Sequence, residues 1–290
     1  MRRSRYPIYL SLLVCPIIIY WLLTTTQTNE KFLLNFKEID IKNGEAIFFA
    51  GGCGSCHYGP DNEILSGGQP IKTKFGTFYS PNISSDPKFG IGSWTLNDFA
   101  YALKKGVSPE GKHYFPVFPY TSYAGMTLGD IADLKSYLET QPPSKVRNKP
   151  HDINLLYSIR QNIGIWKILN RSFKYDDVKD ISRGEYLVNH VSHCGECHTE
   201  RNFFGVKNQK KYLMGAQNFN LRENSPNITS TKNGIKSWSE EDLIYYLETG
   251  FTPDYDTVGG SMVKVIENLS KMRSGELVEI AKYLKSLTDE

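Results

Sequence analysis

The pentapeptide Cys-x-x-Cys-His occurs twice in this chain, as Cys53-Gly54-Ser55-Cys56-His57 and as Cys194-Gly195-Glu196-Cys197-His198. Neither copy stands alone. Gly44-Glu45 matches Gly184-Glu185 ahead of the motifs, and Pro81-Asn82-Ile83 matches Pro226-Asn227-Ile228 behind them. Both triplets lead on to Gly-Ile-x-Ser-Trp, ending at Trp94 and Trp238. Asp98, Leu103, Gly106 and Pro109 then match Asp242, Leu247, Gly250 and Pro253. The stretch Leu134-Lys135-Ser136-Tyr137-Leu138 matches Ile280-Ala281-Lys282-Tyr283-Leu284, and the offset stays between 140 and 146 residues throughout. A period of that size is a duplication of whole domains, not a solenoid repeat, and each copy of about 100 residues is an ordinary domain size.

Within each copy the periodic signals are helical. A helix is expected to run from near Gly44 or Gly184 into the first cysteine. Thr95-Leu96-Asn97-Asp98 and Ser239-Glu240-Glu241-Asp242 have the form of helix N-caps. Apolar residues follow at helical spacing: Phe99, Ala102 and Leu103, then Leu243, Tyr246 and Leu247. Gly106 and Gly250 supply C-terminal stops. A last helix is expected over about Leu128 to Glu139, and its counterpart over about Gly275 to Leu287. Strand alternation is rare, so the sequence predicts an all-α protein with long loops. The stretch from Gln141 to Asp180 reads as a linker. Its apolar residues, among them Ile153, Leu155, Ile159, Trp166 and Leu169, predict packing across a domain surface.

Composition narrows the function. A hydrophobic fraction of 40% excludes a multi-span membrane protein, and a net charge of +3 excludes a nucleic-acid binder. Arg2, Arg3 and Arg5 account for the whole charge excess and precede Tyr6 to Leu23, which carry no charge. A basic start before an apolar run reads as an export signal or a retained N-terminal anchor. The anchor reading predicts one membrane helix, with everything after about Gln27 outside the cytoplasm. Cys15, within that run, reads as inert.

Cys-x-x-Cys-His is the attachment sequence of c-type haem. Two thiols three positions apart reach the two vinyl groups on one porphyrin edge, and the adjacent imidazole binds the iron. Two Cys-x-x-Cys pairs can also build a zinc ribbon, but then they lie within some 15 to 20 residues of each other. A thioredoxin-like redox pair needs a βαβ setting. The sequence therefore assigns two covalently bound haem c groups, one on Cys53, Cys56 and His57, the other on Cys194, Cys197 and His198. On the residues alone the sixth iron ligand stays open. Met126 and His113 compete in the first copy; Met214, Met262 and Met272 compete in the second.

The Cys-x-x-Cys-His motifs are joined by further shared stretches: Phe75-Gly76-Thr77 to Pro81-Asn82-Ile83, Pro119-Tyr120-Thr121-Ser122-Tyr123, Tyr245 to Pro253, and Gly259 to Met262. On these the chain resembles the membrane-bound dihaem cytochrome c family, near the cytochrome subunits of bacterial alcohol, gluconate and related sugar dehydrogenases. The resemblance implies a membrane helix over residues 1–29, a class I cytochrome c domain over 30–143, a linker over 144–180 and a second cytochrome domain over 181–290. It implies that Met126 and Met262 are the sixth ligands. Many relatives in the alcohol-dehydrogenase branch carry Met where this chain has Phe118. By similarity to small cytochromes c, the carbonyls of Pro81 and Pro226 accept from the ligand histidines. Trp94, Trp238, Tyr79, Asn82 and Asn227 are candidates for haem contacts. The implied function is electron transfer in the periplasm from a membrane-associated dehydrogenase to a quinone pool, a terminal oxidase or another cytochrome, with the protein anchored in the bacterial inner membrane. The alternative is a dihaem enzyme such as a peroxidase, with one iron left open.

Overall fold

The computed structural model describes residues 6–26, 32, 38–60, 63–170, 180–218 and 223–288. Arg2, Arg3 and Arg5, Gln27 and linker residues 171–179 lie outside them. The first copy is built on three main helices. Helix α2 (Ile41–Ala50) is capped by the Asp40 carboxylate, which accepts from the N–H groups of Lys42 and Asn43, and it runs directly into the one-turn helix α3 (Cys53–His57). Helix α4 (Leu96–Lys105) starts at a capping box, Thr95 with Asp98, and stops at Gly106 with φ of 60°. The short α5 (Tyr120–Tyr123) precedes the long α6 (Leu128–Thr140).

The second copy repeats this order. Helix α9 (Arg183–Tyr186) continues through a π-turn over Leu187–Val191, and α10 (Gly195–His198) carries the second motif. Helix α11 (Glu240–Thr249) starts at a capping box, Ser239 with Asp242, and stops at Gly250 with φ of 80°. Helix α12 (Met262–Leu269) then leads to α13 (Ser274–Ser286).

In each copy the first helix crosses the last at a glycine. A Cβ on Gly44 would lie 2.1 Å from the carbonyl oxygen of Asp133 in α6, and one on Gly184 would lie 1.9 Å from that of Glu279 in α13. Both contacts are too close for any side chain, which explains the match of Gly44 with Gly184 in physical terms. The buried cluster along these crossings includes Ile47, Phe48, Leu134 and Leu138 in the first copy, and Leu187, Val188, Ile280 and Leu284 in the second.

Two expectations are corrected. The protein is not purely helical: β1 (Pro70–Thr73), β2 (Gly76–Tyr79) and β3 (Asp152–Ile153) form an antiparallel sheet, and β4 (Ala216–Asn218) pairs with β5 (Glu223–Ser225). Strands of two to four residues are too short to show a period of two. The second correction concerns the N-terminal membrane helix. No helix among the described residues is long and apolar enough to cross a membrane. The apolar run does form a helix, α1 (Tyr6–Thr24), with Pro16 inside it. Its end is tied to the folded body. Thr24 is buried, its carbonyl accepts from His113 Nε2 at 2.9 Å, and the Thr26 hydroxyl donates to Gly111 O.

The linker carries α7 (Leu155–Ser158) and α8 (Gln161–Leu169). Lys167 of α8 donates to the carbonyls of Lys105 and Gly106, and the Trp166 indole donates to Phe204 O. Asn82 is buried and holds the start of this stretch, donating to the carbonyls of Ser144 and Val146.

Candidate haem-attachment sites

The first motif sits on one turn of helix. Gly52, at φ of 58°, lets the chain leave α2 and restart as α3. Cys53 and Cys56 are three positions apart and so share one helix face. His57 Nδ1 lies 2.9 Å from Pro81 O, and His198 Nδ1 lies 2.8 Å from Pro226 O. A carbonyl only accepts, so in both rings Nδ1 carries the hydrogen and Nε2 keeps its lone pair. Burial pushes both imidazoles below their ordinary range, against the pull of the proline carbonyls. A neutral ring with a fixed Nδ1–H is the form that binds a metal through Nε2.

A further pair of residues holds each proline carbonyl near its histidine, and the sequence reading missed it. Leu65 and Leu213 both take left-handed backbone, φ 56° and 61°, and both are fully buried. Each is followed two positions later by a left-handed glycine, Gly67 or Gly215, whose N–H donates to the histidine carbonyl at 2.8 Å. A Cβ on Gly67 would lie 2.4 Å from Pro81 O. The Leu carbonyls accept from Ile83 and Ile228, one residue beyond the matched asparagines. A shared Leu-x-Gly was the available signal, but it falls slightly out of step with the rest of the repeat.

The thiols are not paired as disulfides. Burial pushes Cys53 and Cys194 up to about 12, and it also raises Cys56 although that residue is exposed. Such thiols stay protonated and are poor nucleophiles, unlike the depressed thiolates of redox enzymes. No group of three or more His, Cys, Asp or Glu side chains able to hold a bare metal ion occurs among the described residues. The two cysteine pairs therefore do not converge on a zinc site. One-turn pairing of the thiols and an Nε2 lone pair on each adjacent histidine both fit a covalently held porphyrin.

Among the candidate sixth ligands, His113 is committed elsewhere. Its Nε2 donates to Thr24 O and its Nδ1 accepts from Lys167 Nζ at 3.0 Å, so both ring nitrogens are in use. Met126 is buried directly ahead of α6, and Met272 is buried directly ahead of α13. Met262, half-buried, opens α12, and Met214 is exposed. Phe118 lies just ahead of α5 and packs its ring against Tyr114 and Tyr123. Trp94 and Trp238 are half-buried against the core, and Trp238 packs edge-on to Tyr246. The Tyr79 N–H donates to the His151 ring, and the Asn227 amide donates to Thr231.

Glu196, inside the second motif, is the most strongly held charge near either site. It forms ion pairs with Lys207 at 2.8 Å and with Arg201, and it accepts from the hydroxyls of Ser122 and Thr121 in the first copy. Burial alone would raise its carboxyl, but the two cations outweigh burial and hold it down to about 2.

No protein-family model matches the chain. It is 46% identical over 255 residues to a "Diheme cytochrome c-type" protein of Cereibacter sphaeroides, covering 85% of both chains. It is 37% identical over 257 residues to the fructose dehydrogenase cytochrome subunit of Gluconobacter japonicus, covering 85% of this chain and 52% of that one. It is 33% identical over 267 residues to the gluconate 2-dehydrogenase cytochrome c subunit of Pantoea cypripedii, covering 85% of this chain and 59% of that one. The chain thus spans most of the first relative and a little over half of the two dehydrogenase subunits.

Proposed function

The chain belongs to the dihaem c-type cytochromes, and on that basis we propose that it carries electrons from a dehydrogenase to a respiratory acceptor outside the cytoplasm. Each haem, when bound, supplies a one-electron ferric–ferrous couple. Cys53 and Cys56 hold the first group and Cys194 and Cys197 the second. His57 and His198 would bind iron through Nε2, with ring orientation fixed by Pro81 and Pro226. The observation that carries this reading is the repeated Nδ1–H to proline carbonyl bond, which prepares the same nitrogen in both copies.

Met126 and Met262 complete the two sites. His113 has both ring nitrogens engaged, and Met126 is the one methionine described in the first copy. With haem bound, a methionine thioether on each iron would keep substrate away and raise the potential, which favours electron transfer over peroxide chemistry. Residues 30–143 and 181–290 form the two haem domains, joined by 144–180. The dehydrogenase partner is supported by relatives that are cytochrome subunits of fructose and gluconate dehydrogenases. Export is supported by the basic residues ahead of the apolar N-terminal run. A quinone pool, terminal oxidase or further cytochrome is the acceptor class this direction requires.

The test is purification of the native protein with its associated dehydrogenase. Two covalent haems per chain, both reduced on adding that enzyme's substrate, are expected. Met126→Ala and Met262→Ala should each abolish methionine ligation at one haem and leave the other intact. Peroxide turnover by the unaltered protein, with one haem high-spin, would overturn the reading.

A further inference from the structure

Two sets of contacts between the two copies come in reciprocal pairs. Phe49 and His190 occupy equivalent positions just ahead of the two motifs, as do Gly125 and Lys271 just ahead of Met126 and Met272. Lys271 Nζ lies 4.9 Å from the centre of the Phe49 ring. In the reciprocal place, a Cβ on Gly125 would lie 2.3 Å from the His190 ring. Ser55 and Glu196 are likewise equivalent, inside the two motifs, and so are Ser122 and Asn268. Asn268 donates to Ser55 at 2.9 Å, and Ser122 donates to Glu196 at 2.7 Å. Arg183 of the second copy adds a contact without a reciprocal, bridging Glu276 of its own copy to the equivalent acid Asp130 of the other. Where residue i of one copy meets j of the other and j meets i, the interface has two-fold symmetry.

The attachment loops lie at the centre of this arrangement. Gly51 closes α2 beside Val191 O, and its carbonyl lies 3.3 Å from His193 Nε2. His193 is the equivalent of Gly52, and both take left-handed backbone, φ 43° and 58°. Glycine adopts that conformation freely; histidine does so under strain, and such strain persists where surrounding contacts fix it. Two contacts do so here: the bond to Gly51 and edge-on packing of the His193 ring on Tyr123, with centroids 5.6 Å apart.

We infer that the two copies form an internal two-fold dimer with their haem-attachment loops on the axis, and that His193 is the positioning residue that crosses it and sets electron exchange between the copies. This rests on the proposed electron-transfer reading. The exchange is balanced in itself: one electron moves, the donor iron goes from ferrous to ferric, the acceptor from ferric to ferrous, and no bond or proton changes place. His193 takes no part in ligation. It joins the residue pair ahead of Cys53 to the residue ahead of Cys194, so that the two thioether edges hold one relative orientation.

The test uses the full-length dihaem protein and two variants. His193→Gly restores the residue found at the equivalent position of the first copy and removes the bridge without a backbone penalty. His193→Gln keeps an N–H donor. After flash photoreduction with a flavin, redistribution of one electron between the haems should slow by about tenfold in the glycine variant, since loss of a fixed geometry is felt at least on that scale. Amide hydrogen exchange should rise at residues 51–55 and 191–196. Both haem spectra should keep their axial signatures, and the glutamine variant should recover most of the rate. Wild-type exchange kinetics in the glycine variant would overturn the inference, and so would equal slowing in both variants. A protein lacking two covalent haems would instead overturn the functional reading on which it rests.

Discussion

Glu196→Gln removes one charge and almost no volume from the joint between the copies. Two independent routes give the size of the effect. The carboxyl is held from an ordinary 4.5 down to about 2. At about 1.4 kcal/mol per unit, that is about 3 kcal/mol of preference for the charged form in the folded protein. The second route is the partner left behind. Lys207 is 10% exposed at its side chain and would lose its ion pair, and stranding one member of a buried pair costs about 3–5 kcal/mol. At roughly 2–4 °C per kcal/mol, thermal unfolding should fall by roughly 6 °C or more. The assay is unfolding of the haem-loaded protein at neutral pH, followed by circular dichroism, for Glu196→Gln, Lys207→Met and the double variant. The double variant should lie well above the sum of the singles, because removing both charges strands neither. Additive single effects, or a glutamine variant melting within about 1 °C of the wild type, would refute the reasoning.

Gly184→Ala and Gly44→Ala should each destabilise by about 1–3 kcal/mol or more, because the new Cβ meets backbone rather than a movable side chain; denaturant titration of each variant checks this, and a neutral result would mean the crossings relax. Asp86 gives a pH dependence. Its carboxylate accepts from the N–H groups of Lys88 and Phe89 at 2.8 Å each, and these bonds lower it below the ordinary 3.8. Its contribution is therefore present above about pH 3.8 and lost as pH falls through the lower folded value. Asp86→Asn should narrow the gap to wild type across that acid range, and a constant gap from neutral pH down to strong acid would contradict it.

Much of the helical frame was legible in the sequence because its signals are local. Thr95 with Asp98 and Ser239 with Asp242 are capping boxes in the structure, and Gly106 and Gly250 are left-handed stops. A cap needs only residues a few positions apart. The short strands were not legible, because their pairing partners, not their own composition, define them: β3 contributes two residues to a sheet begun in the first copy. The membrane helix failed for a related reason. Hydropathy read Tyr6 to Leu23 correctly as apolar and helical. It could not see Thr24 and Thr26 bonded to the folded body.

At the sites, the residues shared in step with the repeat were readable; the shared but out-of-step Leu65–Gly67 and Leu213–Gly215 turns were not, nor were the positions where the copies differ. The cysteines and histidines recur in both halves, and the proline carbonyls, expected by similarity to small cytochromes c, do lie against the two histidines. The joint is built from positions where the copies differ: Gly52 against His193, Ser55 against Glu196, Phe49 against His190, Gly125 against Lys271. Each looks like drift when the halves are aligned, since its partner lies in the other copy and its chemistry need only be complementary to that partner. The same divergence makes the two sites unequal. Glu196 brings a buried carboxylate, Lys207 and Arg201 close to the second attachment motif, whereas Ser55 brings an uncharged hydroxyl to the first. Charge buried near an iron shifts its potential, and the two attachment motifs are otherwise alike. The joint is therefore one physical source of inequality between the two sites, at residues the duplication did not preserve.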